Sequence, residues 1–249
     1  MKELDVAIKA VKESGKIIME HFKKGFKTYR KPDKSPVTDA DRESEKVIVS
    51  TIKKYFPEHN FLGEEFKYKK TDSKYKWIID PIDGTKLFVR GIPYFGTSLG
   101  LEKDGKMILG VINMPALNVV AYASKGNAAF VKGKRTKVSK IKKISDAYLL
   151  FGDVDKIYSS GYGKPFQKLI QACQGHRGYG DLTGYLFIAQ GKADIMIDNN
   201  YPWDIAAAKI IIEEAGGKLT DIKGNDTIYS GNSVATNRIL HNKIINILS

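Results

Sequence analysis

The chain contains a single cysteine, Cys173, among its 249 residues. One cysteine cannot form a disulfide within the chain, and a cysteine-based metal site is not expected from it. Histidines are also few, and the four present (His21, His59, His176, His241) lack the spacing of zinc ligands. A disulfide scaffold is therefore excluded within one chain, and a zinc centre is not favoured.

Long apolar runs are also missing. No run approaches the roughly 20 residues that a membrane-spanning helix needs. Residues 1–22 mix apolar and charged side chains at helical spacing, which predicts an amphipathic helix rather than a signal peptide. The sequence therefore predicts a cytoplasmic protein that does not associate with membranes.

Acidic residues are few relative to basic ones. Lysine and arginine number 41 against 28 aspartates and glutamates, which gives a formal net charge of +13. The excess is scattered lysine, without a basic arm, zinc finger or RNA-recognition signature, so nucleic acid is not favoured as a partner. A solvated surface explains this charge, and attraction of small phosphorylated metabolites is the functional alternative.

The remaining composition is that of a folded protein, because 42% of the residues are hydrophobic. A chain of this length can bury a large core, either as one thick domain or as two joined halves. The lysine-rich segment from Lys132 to Lys143 is the best candidate boundary. We therefore predict an N-terminal half of residues 1–143 and a C-terminal half of residues 144–249.

Hydrophobic periodicity predicts a mixture of helices and strands. The predicted helices cover 4–22, 38–55, 85–89, 166–173, 183–190, 205–215 and 240–248. The predicted strands cover 59–63, 77–79, 97–102, 107–113, 119–123, 128–131, 148–151, 193–197 and 233–236. Residues 25–36 predict a basic flexible loop, and Lys103-Asp-Gly-Lys106 predicts a hairpin turn.

The stretch Trp77-Ile-Ile-Asp-Pro-Ile-Asp-Gly-Thr85 places two acids at a strand end. Its apolar start predicts a buried strand, and we expect Pro81 and Gly84 to stop that strand beside Asp80 and Asp83. Magnesium prefers oxygen ligands, usually one or two carboxylates with water and substrate phosphate. The stretch is therefore a candidate Mg²⁺ site, with turn capping as the structural alternative.

Acidic residues also lie at the ends of two further predicted elements. Phe61-Leu-Gly-Glu-Glu65 closes a short apolar run, and Asp204 opens an apolar helix. Carboxylates that converge in a fold repel each other unless a cation or a proton lies between them. Each acid taken alone also fits a surface turn.

Together these motifs resemble the signature motifs of the inositol monophosphatase family. The matching residues are Gly63-Glu-Glu65, Trp77-Ile-Ile-Asp-Pro-Ile-Asp-Gly-Thr85, and Trp203-Asp-Ile-Ala-Ala-Ala followed by Glu214-Ala-Gly-Gly217. Their order and approximate separations also fit, and the resemblance covers essentially the whole chain. It implies a layered α/β fold, the αβαβα sandwich of the sugar and inositol phosphatases, with an active site between the halves and a homodimeric assembly.

The resemblance also implies a Mg²⁺-dependent phosphomonoesterase that hydrolyses a small phosphorylated metabolite with water activated by the metal. Two or three Mg²⁺ ions would be held by Glu64, Asp80, the Ile82 carbonyl, Asp83 and Asp204. The implied catalytic residues are Asp41, Glu65 and Thr85, and the implied substrate-binding residues are Gly84, Thr85, Lys86, Asp181 and Asp198. Inhibition by lithium is a trait of the family.

Several of these positions keep a structural alternative. Asp41 also fits an acid that favours a helix dipole after a Thr38 N-cap. Asp181 and Asp198 also fit a helix cap and a turn acid. In the family the loop at residues 25–36 closes over the metals, so Lys31 or Lys34 would reach the phosphate, whereas a mobile surface loop is the alternative. The roles therefore stay open at this point.

The substrate is less well defined. Thr85-Lys-Leu-Phe-Val-Arg-Gly-Ile-Pro93 and Arg177-Gly-Tyr-Gly-Asp181 are similar to the histidinol-phosphate phosphatase branch. Leu87 departs from the asparagine frequent in inositol-phosphate enzymes, and Lys86 also occurs in the branch acting on adenosine 3',5'-bisphosphate. Histidinol phosphate or inositol monophosphate is therefore expected, with fructose 1,6-bisphosphate or adenosine 3',5'-bisphosphate as alternatives.

Other classes of protein fit less well. Haloacid-dehalogenase phosphatases use Asp-x-Asp-Gly-Thr, whereas here Asp80 and Asp83 are separated by two residues. A calcium loop counted from Asp80 ends at Gly91, where a glutamate is required. A catalytically inactive regulatory or RNA-linked binding protein is the alternative of a different class, and the net charge of +13 motivates it.

Overall fold

The computed structural model describes residues 2–248, which fold into helices and sheets in alternating layers. The helices are α1 (Lys2–Lys24), α2 (Asp39–Lys53), α3 (Thr85–Phe88), α4 (Val154–Ile157), α5 (Gly163–Ala172), α6 (Asp181–Ala189), α7 (Pro202–Glu214) and α8 (His241–Leu248). The strands are β1 (Thr28–Arg30), β2 (Pro36–Thr38), β3 (Asn60–Gly63), β4 (Tyr75–Asp83), β5 (Gly96–Lys103), β6 (Lys106–Met114), β7 (Val119–Ser124), β8 (Ala129–Val131), β9 (Lys134–Arg135), β10 (Tyr148–Phe151), β11 (Gly175–Arg177), β12 (Ile195–Asp198), β13 (Lys218–Thr220) and β14 (Ser233–Thr236).

Two large sheets alternate with helices in five layers. The first sheet has the strand order β3-β4-β5-β6-β7-β8-β9, and the second has the order β11-β10-β12-β14-β13. Helices α1 and α2 cover the outer face of the first sheet, α6 and α7 lie between the sheets, and α5 and α8 cover the outer face of the second. The predicted αβαβα sandwich is confirmed.

Strand β4 carries the acidic stretch to the edge of its layer. Trp77 is fully buried, as the apolar run predicts. The prediction that Pro81 stops the strand is wrong, because β4 continues to Asp83. The pairing with β5 shifts register between Asp80 and Asp83, and a proline is tolerated at such a bulge because no ladder donor is needed there. The strand ends at Gly84, whose φ of +81° suits glycine.

The segment predicted as a flexible loop contains a small antiparallel ribbon. Strands β1 and β2 pair with the register Thr28↔Thr38 and Arg30↔Pro36, so the loop prediction is wrong for residues 28–30 and for Pro36. Thr28 and Tyr29 in β1, and Val37 and Thr38 in β2, favour the extended conformation because β-branched and aromatic residues are enriched in strands. The ribbon leaves a short turn at residues 31–35, and it delivers Lys31 toward the end of β3.

Helix α2 begins directly after β2 with a capping box. The Asp41 carboxylate accepts hydrogen bonds from the Thr38 backbone N–H at 2.8 Å and from the Thr38 hydroxyl at 2.5 Å. This confirms the predicted cap, since an acid at the third helical position reaches back to the N-cap residue. The cap also fixes Asp41 inside the fold, where it is 1% exposed.

Helix α7 lies very close to the first sheet. A Cβ atom added to Gly100 of β5 would lie 2.8 Å from the Ala206 Cβ, and one added to Gly110 of β6 would lie 2.5 Å from the Ala207 carbonyl oxygen. The two glycines therefore allow the helix backbone to approach the strands. This packing carries Asp204, in the first turn of α7, to the end of β4.

The two sheets divide the chain between Arg135, the end of β9, and Tyr148, the start of β10. Helix α7 nevertheless packs on both sheets. Residues of both predicted halves contribute to one hydrophobic core. The predicted boundary at residue 143 therefore stays a prediction.

Candidate active site

Three carboxylates converge where β4 ends against α7. One oxygen from each of Asp80, Asp83 and Asp204 lies within 4.8 Å of the others. Backbone amides orient two of them: Leu182 N–H donates to Asp83 Oδ2 at 2.6 Å, and Tyr201 N–H donates to Asp204 Oδ2 at 2.7 Å. The second bond belongs to a capping box at the start of α7. The elements of the fold therefore hold the cluster together.

The electrostatics of this cluster favour a bound cation. Burial, followed by the charges of neighbouring carboxylates, raises the pKa values of Asp80 and Asp83 well above their ordinary range, and that of Asp204 to about 7. Asp80 is 2% exposed, and its Oδ1 has no hydrogen-bond partner among residues 2–248. An all-oxygen set with an unpartnered buried oxygen fits a hard divalent cation such as Mg²⁺.

Glu64 and Glu65 follow β3 and share one lysine. The Lys31 ammonium lies 2.6 Å from Glu64 Oε1 and 2.6 Å from Glu65 Oε1. Burial lowers the pKa of Lys31, but the two carboxylates outweigh this effect and raise it above its ordinary value. Glu64 lines the same cavity as Asp80, and its charge adds to burial in raising the pKa of the Asp80 carboxyl. The structure thus brings Glu64 to the acidic cluster, whereas Lys34 is exposed on the cavity wall.

Asp41, Ile82 and Thr85 form a connected group beside the cluster. The Thr85 hydroxyl lies 2.8 Å from the Ile82 carbonyl oxygen, to which it donates, and 3.3 Å from Asp41 Oδ1. Burial raises the pKa of Asp41 to about 7, although two hydrogen bonds from Thr38 act in the opposite direction. A carboxyl with a pKa near neutrality can exchange a proton under physiological conditions.

A cavity of about 880 Å³ opens from the carboxylate cluster toward the second sheet. Asp198 ends β12 on its wall, and burial raises the pKa of this carboxyl to about 7. Asp181 begins α6 with an uncommon φ of +55°, and burial raises its pKa also. Gly84 faces Asp181, because a Cβ added to it would lie 3.6 Å from the Asp181 carboxylate. The structure therefore brings the predicted substrate-binding aspartates together with the turn.

The mouth of this cavity carries charged residues, of which the sequence motifs indicated only Lys86. Lys86 Nζ lies 3.9 Å from Asp153 Oδ2, with the two side chains 70% and 37% exposed. Lys156 lines the same wall, and the Tyr201 and Trp203 rings stack at 5.0 Å on the rim. No short motif marks Asp153 or Lys156, so only the fold identifies them.

Glu45 is the second feature that the motifs did not indicate. It lies one helical turn after Asp41, where the spacing places both on one face of α2. It is fully buried, and its carboxylate accepts hydrogen bonds from the segment that follows Glu64. Its spacing from Asp41 was the available signal, but a glutamate in a helix is ordinarily solvent-exposed.

Comparison with known proteins identifies a family. Residues 1–249 match the model of the inositol monophosphatase family. The chain is 35% identical over 236 residues to a histidinol-phosphatase of Chlorobaculum parvum, covering 94% of this chain and 91% of that protein. It is 34% identical over 253 residues to a fructose-1,6-bisphosphatase/inositol-1-monophosphatase of Thermotoga maritima, covering 100% of this chain and 96% of that protein.

A solved structure agrees with this match. The extragenic suppressor protein SuhB of Bartonella henselae superposes with a TM-score of 0.93 at 29% identity, over 100% of this chain and 99% of that one. Within residues 2–248, no helix combines the length and apolarity that crossing a bilayer requires. The predicted cytoplasmic location stays a prediction.

Proposed function

The chain belongs to the inositol monophosphatase family of metal-dependent phosphatases and is a phosphoric monoester hydrolase, and from this premise we propose that it uses Mg²⁺ to hydrolyse histidinol phosphate. Two observations support the proposal. The carboxylate cluster of Asp80, Asp83 and Asp204 suits a hard cation, and the mouth of the cavity with the wall beside it has more aspartates than lysines. The second observation carries the choice of substrate.

The proposed metal ligands are Glu64, Asp80, the Ile82 carbonyl, Asp83 and Asp204, for two or three Mg²⁺ ions. When bound, Mg²⁺ neutralises phosphate charge and lowers the pKa of water, which are the main needs of phosphomonoester hydrolysis. The protein residues hold the phosphate between this cluster and the turn at Gly84 and Thr85. The positive φ of Gly84 and its missing side chain leave room for a close approach.

Asp41 and Thr85 orient the attacking water in this proposal. The Thr85 hydroxyl donates its proton to the Ile82 carbonyl, so its lone pairs accept a hydrogen from the water. Asp41 Oδ1 lies beside this hydroxyl and receives the proton as the water oxygen bonds to phosphorus. The bond between phosphorus and the ester oxygen breaks in the same reaction, and the leaving oxygen takes a proton from a water beside Asp204. Glu65 assists from beside Glu64, where the bond from Lys31 holds its carboxylate. A base with a pKa near neutrality suits this proton transfer.

The charges at the mouth of the cavity and on the wall beside it favour a cationic leaving group. Three aspartates (Asp153, Asp181, Asp198) and two lysines (Lys86, Lys156) line this part of the cavity. Histidinol phosphate carries an ammonium group that pairs with these carboxylates, and its charge favours the ionised forms of Asp181 and Asp198, whose pKa values burial raises. Fructose 1,6-bisphosphate and adenosine 3',5'-bisphosphate instead bring a second phosphate, which carboxylates repel. Inositol monophosphate is the second candidate, because the buried Asp198 and the half-buried Asp181 can accept hydrogen bonds from its hydroxyls.

The test is phosphate release from these four substrates, each measured with Mg²⁺ and with EDTA. We expect a metal-dependent reaction that prefers histidinol phosphate in kcat/KM. An Asp83→Asn protein prepared in the same way shows the contribution of contaminating phosphatases. A preference for inositol monophosphate or a bisphosphate would overturn the substrate, and metal-independent turnover would overturn the mechanism.

The binding-protein alternative has its own measurement. Filter binding with RNA at increasing salt distinguishes a dedicated RNA site from the general attraction of a chain with net charge +13. We expect affinity that falls steeply with salt. Nanomolar affinity that persists in high salt, together with no hydrolysis of any substrate, would favour the alternative.

The homodimer that the resemblance implies is likewise part of the proposal. Sedimentation equilibrium of the purified protein tests it directly, and we expect about twice the chain mass of 27.8 kDa. A monomer across the concentration range would contradict the expected assembly without affecting the active-site proposal.

A further inference from the structure

Glu45 is a buried carboxylate in the middle of α2. Glu45 is 0% exposed, although glutamate is seldom buried unless its charge is paired or hydrogen-bonded. Three donors satisfy it: Glu65 N–H at 2.9 Å, Phe66 N–H at 3.1 Å and the Tyr68 hydroxyl at 2.7 Å. All three donors belong to the segment that follows β3, 20 to 23 residues away in sequence. Glu45 therefore joins α2 to that segment.

The chain makes room for this carboxylate at Gly63. A Cβ atom added to Gly63 would lie 2.0 Å from Glu45 Oε1, which is far closer than a non-bonded contact allows. The carboxylate thus occupies the space that a side chain at position 63 would fill. Gly63 directly precedes Glu64 and Glu65, and the backbone N–H groups of Glu65 and Phe66 donate to Glu45. Glu45 therefore contacts the backbone both before and after Glu64.

From this arrangement we propose that Glu45 is a positioning residue, which fixes the Gly63–Phe66 turn so that Glu64 reaches the metal cluster and Glu65 stays beside it. Glu45 itself touches neither substrate nor metal in this inference. It acts through the backbone N–H groups of the turn, as an outer group that orients a ligand-bearing segment. The inference rests on the proposed metal-dependent function.

The same helix then positions two parts of the site. Asp41 lies one turn before Glu45, and its carboxylate lies beside the hydroxyl of Thr85, which begins α3 directly after the β4 turn. Glu45 reaches the turn after β3, and β3 pairs with β4 in parallel register. One rigid helix therefore sets the separation between the proposed base and the proposed Glu64 ligand, a more precise arrangement than two independent loops give.

The test compares Glu45→Gln with a matched control elsewhere in the chain. In Glu45→Gln the amide keeps one acceptor oxygen but turns an NH₂ group toward a backbone N–H, so one of the turn's bonds is lost. Glu214→Gln makes the same change at a carboxylate that accepts Gly126 N–H at 2.8 Å and Ala128 N–H at 3.1 Å, in a turn outside the active-site cavity. The control loses equivalent hydrogen bonds without touching the site.

The readout is binding of Mg²⁺ or Mn²⁺ to the metal-free protein by calorimetry, with thermal unfolding measured in parallel. We expect Glu45→Gln to weaken metal binding by about 10–100-fold, the usual effect of losing an outer orienting group. Glu214→Gln should bind metal as the wild type does while losing a comparable amount of thermal stability. Metal affinity within twofold of wild type for Glu45→Gln, or an equal loss in both variants, would overturn the inference.

A second substitution tests the same contact from the other side. Gly63→Ala must displace the Glu45 carboxylate, and we expect it to weaken metal binding similarly, whether or not Glu45→Gln folds well. If both act through one contact, the double variant shows much less than the product of the two losses, since residues in contact are not additive. Multiplicative losses, or unchanged metal affinity in Gly63→Ala, would contradict the inference.

The wild-type titration separates the two proposals. Wild-type protein that binds no divalent cation contradicts the proposed function itself. Wild-type protein that binds Mg²⁺, with Glu45→Gln binding it equally well, contradicts only the role of Glu45.

Discussion

The two ends of the active-site cavity are built differently. At the metal end, short aspartate side chains are held by backbone N–H groups, as with Asp83 and Leu182 or Asp204 and Tyr201. At the mouth, the exposed Lys86 ammonium lies 3.9 Å from the partly exposed Asp153 carboxylate. A bond from a backbone N–H restricts a short carboxylate side chain to few positions, whereas an exposed lysine side chain samples many.

This difference assigns separate tasks to the two ends. Charge neutralisation and proton transfer depend on fixed geometry, so small displacements at the metal end are costly. Recognition of the leaving group at the mouth depends on the sign and number of charges, which changes with little effect on the fold. We therefore expect substitutions at the metal end to affect every substrate and those at the mouth to affect the choice among substrates.

The largest effect is expected from Asp83→Asn. The substitution removes the charge of a proposed ligand but keeps its volume, and the amide oxygen can still accept the bond from Leu182. Losing several kcal/mol of charge stabilisation lowers kcat by about 10³-fold or more on all substrates. Steady-state phosphate release measures this loss, and far-UV circular dichroism should remain unchanged.

Asp221→Asn is the matched control for that variant. Asp221 is also buried and accepts backbone bonds, here from Lys223 and Asn225 in a turn outside the cavity. We expect it to keep wild-type kcat. Near-wild-type turnover by Asp83→Asn in saturating Mg²⁺ would show that the cluster is not the catalytic metal site.

The next effect concerns stability and pH. Burial raises the pKa values of Asp198 and Asp204 from 3.8 to about 7 in the folded protein. Between these values the folded state holds protons that the unfolded chain has released, so the stability present below pH 3.8 is lost as pH rises through about 7. Each group contributes at most about 4 kcal/mol to this loss.

Thermal unfolding in EDTA at pH 5 and pH 8 measures this loss of stability. We expect the metal-free protein to be less stable at pH 8, and Mg²⁺ to reduce the difference because a cation stabilises the ionised cluster. Asp204→Asn removes one titrating group and should flatten the dependence. Stability in EDTA that increases from pH 5 to pH 8 and is unchanged in slope by Asp204→Asn would contradict this account.

The separation of interacting residues along the chain explains what the sequence could predict. Asp80 and Asp83 were recognisable because they share one short stretch after an apolar run, and the Thr38 cap because its partner is three residues away. These interactions are local. The continuation of β4 through Pro81 was not predictable, since the bulge that tolerates proline is defined by pairing with β5.

Longer-range features were not predictable for a similar reason. The burial of Glu45 depends on a turn 20 residues later in the chain, and the pairing of Lys31 with Glu64 spans 33 residues. Glutamate and lysine are ordinarily exposed to solvent, so the sequence favours exposure of both Glu45 and Lys31. The mouth residue Asp153 belongs to no motif, so its place beside Lys86 depends wholly on how the second sheet meets the first.

A smaller effect is expected at the mouth, from Asp153→Asn. Removing this charge weakens attraction of an ammonium group and frees Lys86 for a second phosphate. We expect the ratio of kcat/KM for fructose 1,6-bisphosphate over histidinol phosphate to rise about fivefold, equivalent to roughly 1 kcal/mol for an exposed pair. Asp155→Asn, an exposed position outside the cavity lining, is the control and should leave the ratio unchanged. An equal loss on both substrates would place Asp153 with the metal end instead.

The smallest effect is expected from Lys34→Met. This variant tests whether Lys31 belongs to the metal end while Lys34, in the same β1–β2 ribbon, does not. Lys31 lies with the metal end, because its ammonium bonds to Glu64 and Glu65 at 2.6 Å each. Lys34, three residues later, is exposed at the turn, and a solvated lysine contributes little to binding a fixed phosphate. Lys34→Met should therefore change kcat/KM by less than about twofold on every substrate, since its charge is screened by water and salt. A loss above tenfold that is the same for all substrates would mean that the turn folds onto the phosphate during catalysis, and the metal end would then include the whole ribbon.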